Sequence, residues 1–150
     1  MNNYDLLIKQ IISLSEESRN YIPLMSNISA LLFDNLKDIN WAGFYLLKDN
    51  NLLLGPFQGK VACVNIEKGK GVCGTCLEKD ETIVVDNVHE FKGHIACDSA
   101  SNSEIVIPIH SDGFIKAVLD IDSPILNRFT IDDKLGLERL VKEIEKIIEF

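Results

Sequence analysis

A change of hydrophobic period is what most restricts the fold open to this chain. Near both ends apolar residues recur at helical spacing, and between them they alternate. From Asp5 to about Glu17, Leu6, Leu7, Ile8, Ile11 and Ile12 form one broad stripe. A second helix is expected from about Tyr21 to Leu36, because Pro23 falls in a first turn, where its missing N–H costs nothing. Near the C-terminus Thr130 is a good N-cap ahead of Asp132 and Asp133, and Leu137, Leu140, Val141, Ile144, Ile147 and Ile148 follow at helical spacing. In the middle, Trp41–Leu47 and Leu52–Phe57 flank the turn-rich segment Lys48–Asn51 and read as a hairpin. Thr82–Val85, Glu104–Ile109 and Ile115–Ile121 are further strands. Glu67–Thr75, with three glycines, reads as a loop leading into a short helix. The stretch from His89 to Ser103 has no period and suits a functional loop. Terminal helices around hairpin-linked strands predict an α+β fold with a central antiparallel sheet and the helices on one face. No repeat or low-complexity linker divides the 150 residues, so one domain is expected over residues 1–150.

Strand alternation also places chemistry. Ile105, Ile107 and Ile109 share a face, as do Ala117, Leu119 and Ile121, so the return strand leaves Asp120 and Asp122 on the side of Glu104. Keeping the apolar faces together fixes the parity of the pairing. A three-residue loop, Ser111-Asp112-Gly113, would pair Ile105 with Leu119 and Glu104 with Asp120. Opposed residues have Cβ atoms about 4.5–5.5 Å apart, so the three carboxyls converge, and one is expected to titrate upward and act as an acid. A solvated acidic face or a carboxylate metal site are the competing readings. Trp41 and Tyr45 share a strand face with Gly43 between them, and are read either as a pocket wall or as core.

The four cysteines are Cys63, Cys73, Cys76 and Cys97, all in the middle of the chain. Clustered cysteines in a reducing compartment suggest metal or redox chemistry. Zinc is disfavoured by the single C-x-x-C pair, a thioredoxin-like motif by the missing βαβ unit, and a phosphate loop by residue order. Cys76 reads as an inert core residue on the short helix. Cys97 lies in the aperiodic loop GHIACDSAS, where backbone N–H groups and His94 could favour a thiolate. A thiol nucleophile beside a carboxyl acid describes a thiol-dependent reductase, with further cysteines able to close a disulfide. The charge agrees with a small-molecule task. With 23 acids against 15 bases the net charge is −8, which argues against nucleic acid and against anionic membranes. The longest apolar stretch, Trp41 to Leu47, is too short to span a bilayer, and MNNYDLLIK lacks the layout of a secretory signal, so a soluble cytoplasmic protein is expected.

The motifs NWAGFYLL, GPFQGKVACVNI, GKGVCGT, VHEFKGHIACDSASNSEIVIPI and VLDIDSP, in that order, resemble the free methionine-(R)-sulfoxide reductases. These are GAF-domain enzymes acting on the free amino acid. The resemblance runs from about Asn40 into the C-terminal helix. It implies that Cys97 is the catalytic cysteine, Cys63 the principal resolving cysteine and Cys73 a third redox cysteine. It further implies that Glu104, Asp120 and Asp122 are the carboxylates of the substrate pocket, and that Trp41 and Tyr45 form its aromatic wall. Cys76 departs from the family, where a small residue is usual. The resemblance implies sulfenic acid chemistry, an intramolecular disulfide, a thioredoxin-type reductant, and no metal or organic cofactor. A homodimer through the terminal helices is compatible with the family, although no interface is legible in the residues. The competing reading is a non-catalytic GAF module for small-ligand binding or redox sensing.

Overall fold

The structure, a computed structural model, describes residues 3–93 and 100–150. The expected Cys97 and the nearby His94 lie outside the described residues. Helix α1 spans Tyr4–Ser15 and α2 Tyr21–Asn35, each capped by an asparagine side chain, Asn3 on the Leu6 N–H and Asn20 on the Ile22 N–H. Strands β1 (Trp41–Lys48), β2 (Asn51–Gly59) and β3 (Asn65–Ile66) precede helix α3 (Gly71–Lys79). Strand β4 (Ile83–Val85), a 3₁₀ turn at Val88–Glu90, β5 (Ser103–Ser111), β6 (Phe114–Ser123) and helix α4 (Ile131–Ile147) follow. The six strands form one antiparallel sheet in the order β3-β2-β1-β6-β5-β4. The α+β expectation holds, with α1, α2 and α4 on one face of the sheet and α3 on the other.

Alternation divides the core in two. Ala42, Phe44, Ile105, Ile107, Ile109, Ala117, Leu119 and Ile121 pack against α1, α2 and α4. Trp41, Tyr45, Val106 and Val118 face the other way, under Val72, Cys73, Cys76 and Leu77 of α3. Helix α4 begins in a capping box, in which the Thr130 hydroxyl accepts from the Asp133 N–H and the Asp133 carboxylate accepts from the Thr130 N–H. The buried Asp133 carboxylate also accepts from Tyr4 Oη at 2.6 Å and Arg128 at 2.9 Å, which joins α4 to α1.

Two local expectations are corrected. The β5–β6 turn has two residues, Asp112 and Gly113, both at positive φ (55° and 82°), and not three. Ile109 then pairs with Ala117 while His110 pairs with Ile115, so the pairing shifts between them and Lys116 is the extra residue. Turn and bulge together move the register by two residues, which keeps every side chain on its expected face. Ile105 therefore pairs with Ile121, Ile107 with Leu119 and Glu104 with Asp122, whereas Asp120 sits opposite Val106. The second correction concerns GVCGT. It is already helical, because α3 starts at Gly71, whose φ of 62° admits the chain into the helix.

Candidate active site

Three adjacent strands build the floor of a cavity. Trp41 of β1, Asp122 of β6 and Glu104 of β5 lie in one cross-strand row. Gly43, Asp120 and Val106 form the next row. Both rows face α3, and the cavity above them is lined by Trp41, Tyr45, Cys73, Glu104, Asp120 and Asp122. Lys70, Gly71, Ser101 and the segment Val61–Ala62 complete its rim. The structure thus brings together six of the expected site residues. Cys63 adjoins the rim, and Cys76 is buried on α3 with no exposed surface.

The electrostatics follow from burial. Glu104 is almost fully buried, and its carboxyl is pushed well up, first by desolvation, then by the charges of Asp120 and Asp122, with which it also hydrogen-bonds. Burial and the two aspartates thus disfavour the charged form of Glu104. The same causes push up the Cys73 thiol, which is desolvated and hydrogen-bonded to Asp120. Burial and the charge of Asp120 likewise push up the Tyr45 phenol. Among the described residues, one donor atom each from Cys73, Glu104 and Asp120 lie within 4.8 Å of one another. That set mixes one sulfur with two oxygens and falls short of the four ligands of a structural zinc site. Cys63 is disulfide-bonded, while Cys73 and Cys76 are free thiols.

The aromatic wall is rigid. The Trp41 ring stacks on Phe57 at 5.1 Å and on Tyr45 at 6.0 Å between centroids. Gly43 is needed for this, although the space it leaves is filled by Phe57 and not by the cavity. A Cβ at position 43 would collide with the Cβ and backbone of Phe57, its partner on β2. Gly59, at φ +134°, leaves similar room, since a Cβ there would lie 2.6 Å from the indole ring.

Comparison with known proteins gives the family. A GAF domain profile matches residues 23–148. Free methionine-R-sulfoxide reductase of Escherichia coli (strain K12) is 54% identical over 128 residues, covering 85% of this chain and 78% of that protein. Free methionine-R-sulfoxide reductase of Saccharomyces cerevisiae is 45% identical over 161 residues, covering 100% of this chain and 89% of that protein. The chain belongs to the free methionine-R-sulfoxide reductase family of GAF domains. A solved structure of the family, fRMsr of Staphylococcus aureus in complex with substrate, superposes with a TM-score of 0.94. It has 57% identity and covers 99% of this chain and 97% of that one.

Four site features of this reductase family member escaped the sequence reading. Phe57, Lys70 and Ser101 lie inside the quoted motifs, but no residue-level signal marks them there as site residues. Val61 and Ala62 were legible as part of GPFQGKVACVNI, with no sign that they border the cavity. The one available signal was Gly43 facing an aromatic on a neighbouring strand, which pointed to Phe57 once β1 and β2 were read as a hairpin.

Proposed function

We propose that this member of the family reduces free methionine-(R)-sulfoxide to methionine by thiol chemistry at Cys97. Trp41 packs against the methyl sulfoxide end, and Asp120 and Asp122 hold the ammonium group. The Cys97 thiolate attacks the sulfoxide sulfur as the protonated Glu104 carboxyl gives its proton to the oxygen. The protonated oxygen then passes from the methionine sulfur to the Cys97 sulfur as the new S–S bond breaks, so methionine leaves with its sulfur reduced by two electrons and Cys97 is oxidised to a sulfenic acid. Cys63 then attacks that sulfur, expelling the oxygen as water and closing a disulfide. An external dithiol of the thioredoxin class supplies the two electrons that reopen it.

The observation that carries this reading is the buried Glu104 in one row with Asp122 and Trp41, lining the same cavity. Asp122 stands between Trp41 and Glu104, so an aromatic wall, a carboxylate for the ammonium group and a carboxyl pushed toward its protonated form line one cavity. Two cysteine states support Cys63 over Cys73 as the main resolver. Cys63 is disulfide-bonded, whereas the Cys73 thiol is held protonated by burial and by Asp120. The test is methionine formation from each epimer of the free sulfoxide with dithiothreitol as reductant. Turnover of the R epimer alone is expected. Turnover of neither epimer would favour a binding module.

A further inference from the structure

Both aromatics of the cavity wall end on main-chain carbonyls of one short segment. Trp41 Nε1–H donates to the Lys60 carbonyl at 3.1 Å, and the Tyr45 hydroxyl donates to the Cys63 carbonyl at 2.9 Å. That segment links β2 to β3 and lies outside both strands. A backbone bond from the Leu54 N–H to the Val64 carbonyl, 2.8 Å, ties its far end. Between Gly59 and Val64, the two side-chain bonds hold the chain from beneath, where the rings are themselves fixed by stacking on one another and on Phe57.

We propose that Tyr45 is a positioning residue for the resolving step: its hydroxyl fixes the main chain of Cys63, so the wall that meets substrate also sets where the second sulfur stands. The inference rests on Cys63 being the resolving cysteine, as argued above. In that step the Cys63 sulfur bonds to the Cys97 sulfenic sulfur and the S–O bond breaks. The hydroxide takes a proton to leave as water, so Cys63 is oxidised and the sulfenic sulfur reduced. Attack requires near in-line approach, and a small displacement of the attacking group slows it disproportionately. The bond is present with Cys63 disulfide-bonded, so the main-chain position it fixes is one that the resolved state occupies. Burial keeps the phenol protonated and hence a donor. Trp41 holds Lys60 and so limits the swing of the segment, while Tyr45 acts on Cys63 itself.

Tyr45→Phe keeps the ring and its stack while deleting the donor. Loss of one neutral hydrogen bond corresponds to roughly a fivefold change. The experiment is a rapid quench of the reduced full chain with one equivalent of free methionine-(R)-sulfoxide. Methionine, the Cys63-containing disulfide and dimedone-trapped sulfenic acid are measured in the same samples. Methionine release is the internal reference, so any loss of substrate contact divides out. The rate of disulfide closure relative to methionine release should fall about fivefold, with more dimedone adduct. In parallel, dithiothreitol should reopen the Cys63 disulfide of the variant faster. An unchanged ratio with unchanged reopening would overturn the proposal, whether or not both steps slow together. If the unsubstituted protein closes its disulfide without Cys63, the functional reading fails first and the inference falls with it.

Discussion

Glu104 combines burial, an opposed Asp122 and a neighbouring Asp120, and each disfavours its charge. Glu104→Gln keeps the shape and a hydrogen-bond donor but cannot give up a proton to a departing oxygen. Its kcat/KM for the free sulfoxide should fall by about 10²–10⁴, the usual contribution of a positioned acid. The same group shapes the pH dependence of stability. Its folded pKa is raised above 4.5, so above that pH the folded chain holds a proton that the unfolded chain has lost. Stability from this residue therefore declines as pH rises from 4.5 toward the raised value, and Glu104→Gln removes that decline. Thermal midpoints of both proteins across that range check the sign. That these three acids share a face was legible from alternation alone. Which acid opposes which was not, because parity is blind to a shift of two residues.

At the scale of elements, the β5–β6 hairpin shows what strand patterning can and cannot specify. The apolar pattern assigned faces correctly, yet a two-residue turn with a bulge at Lys116 satisfies it as well as a three-residue loop does. Helix α3 was foreseen as short and late because glycines at positions 69, 71 and 74 weaken helical propensity. Gly74 is nevertheless inside the helix, and glycine is needed there because a Cβ would collide with the Glu67 carbonyl. The β1–β2 pair offers a test of the wall. Gly43→Ala must displace Phe57 or the strands themselves, at a cost of about 1–3 kcal/mol as for other overpacked sites. Urea unfolding should show that loss. Because Phe57 stacks on Trp41, the Trp41 fluorescence of the folded state should change as well.

Across the whole molecule, the two faces of the sheet carry different work. One face holds the three long helices, the other the cavity and α3. Period and strand alternation foresaw the terminal helices on one face and the carboxylates on the other, but not the place of α3, and long-range contacts depend on side chains distant in sequence. The Tyr45–Cys63 bond is one, and His110 is another. The His110 ring contacts Asp80, the residue capping α3, at 2.6 Å and Glu145 of α4 at 3.0 Å, joining the two helix layers past the end of β4. Desolvation alone would lower its pKa, but hydrogen bonds and charge from Asp80 and Glu145 outweigh it, so the value rises above 6.5. The stability this adds is fully present below pH 6.5 and is lost as pH rises through the raised value. His110→Gln should accordingly lower the thermal midpoint at pH 6 and lose that effect in alkaline buffer. A deficit independent of pH would mean that packing, not charge, is what His110 contributes.

The acidic excess is also clearer at this scale. Of 23 acids, Glu104, Asp120 and Asp122 line the cavity, while Asp133 organises the start of α4. The central claim is that one thiol performs the chemistry and a second closes on it. Single-turnover thiol mapping tests it most directly. Reduced protein is mixed with one equivalent of free methionine-(R)-sulfoxide, alkylated and digested. The account predicts one equivalent of methionine and a Cys97–Cys63 disulfide, no methionine from Cys97→Ser, and retained turnover in Cys76→Ser. Methionine formed by Cys97→Ser would contradict it.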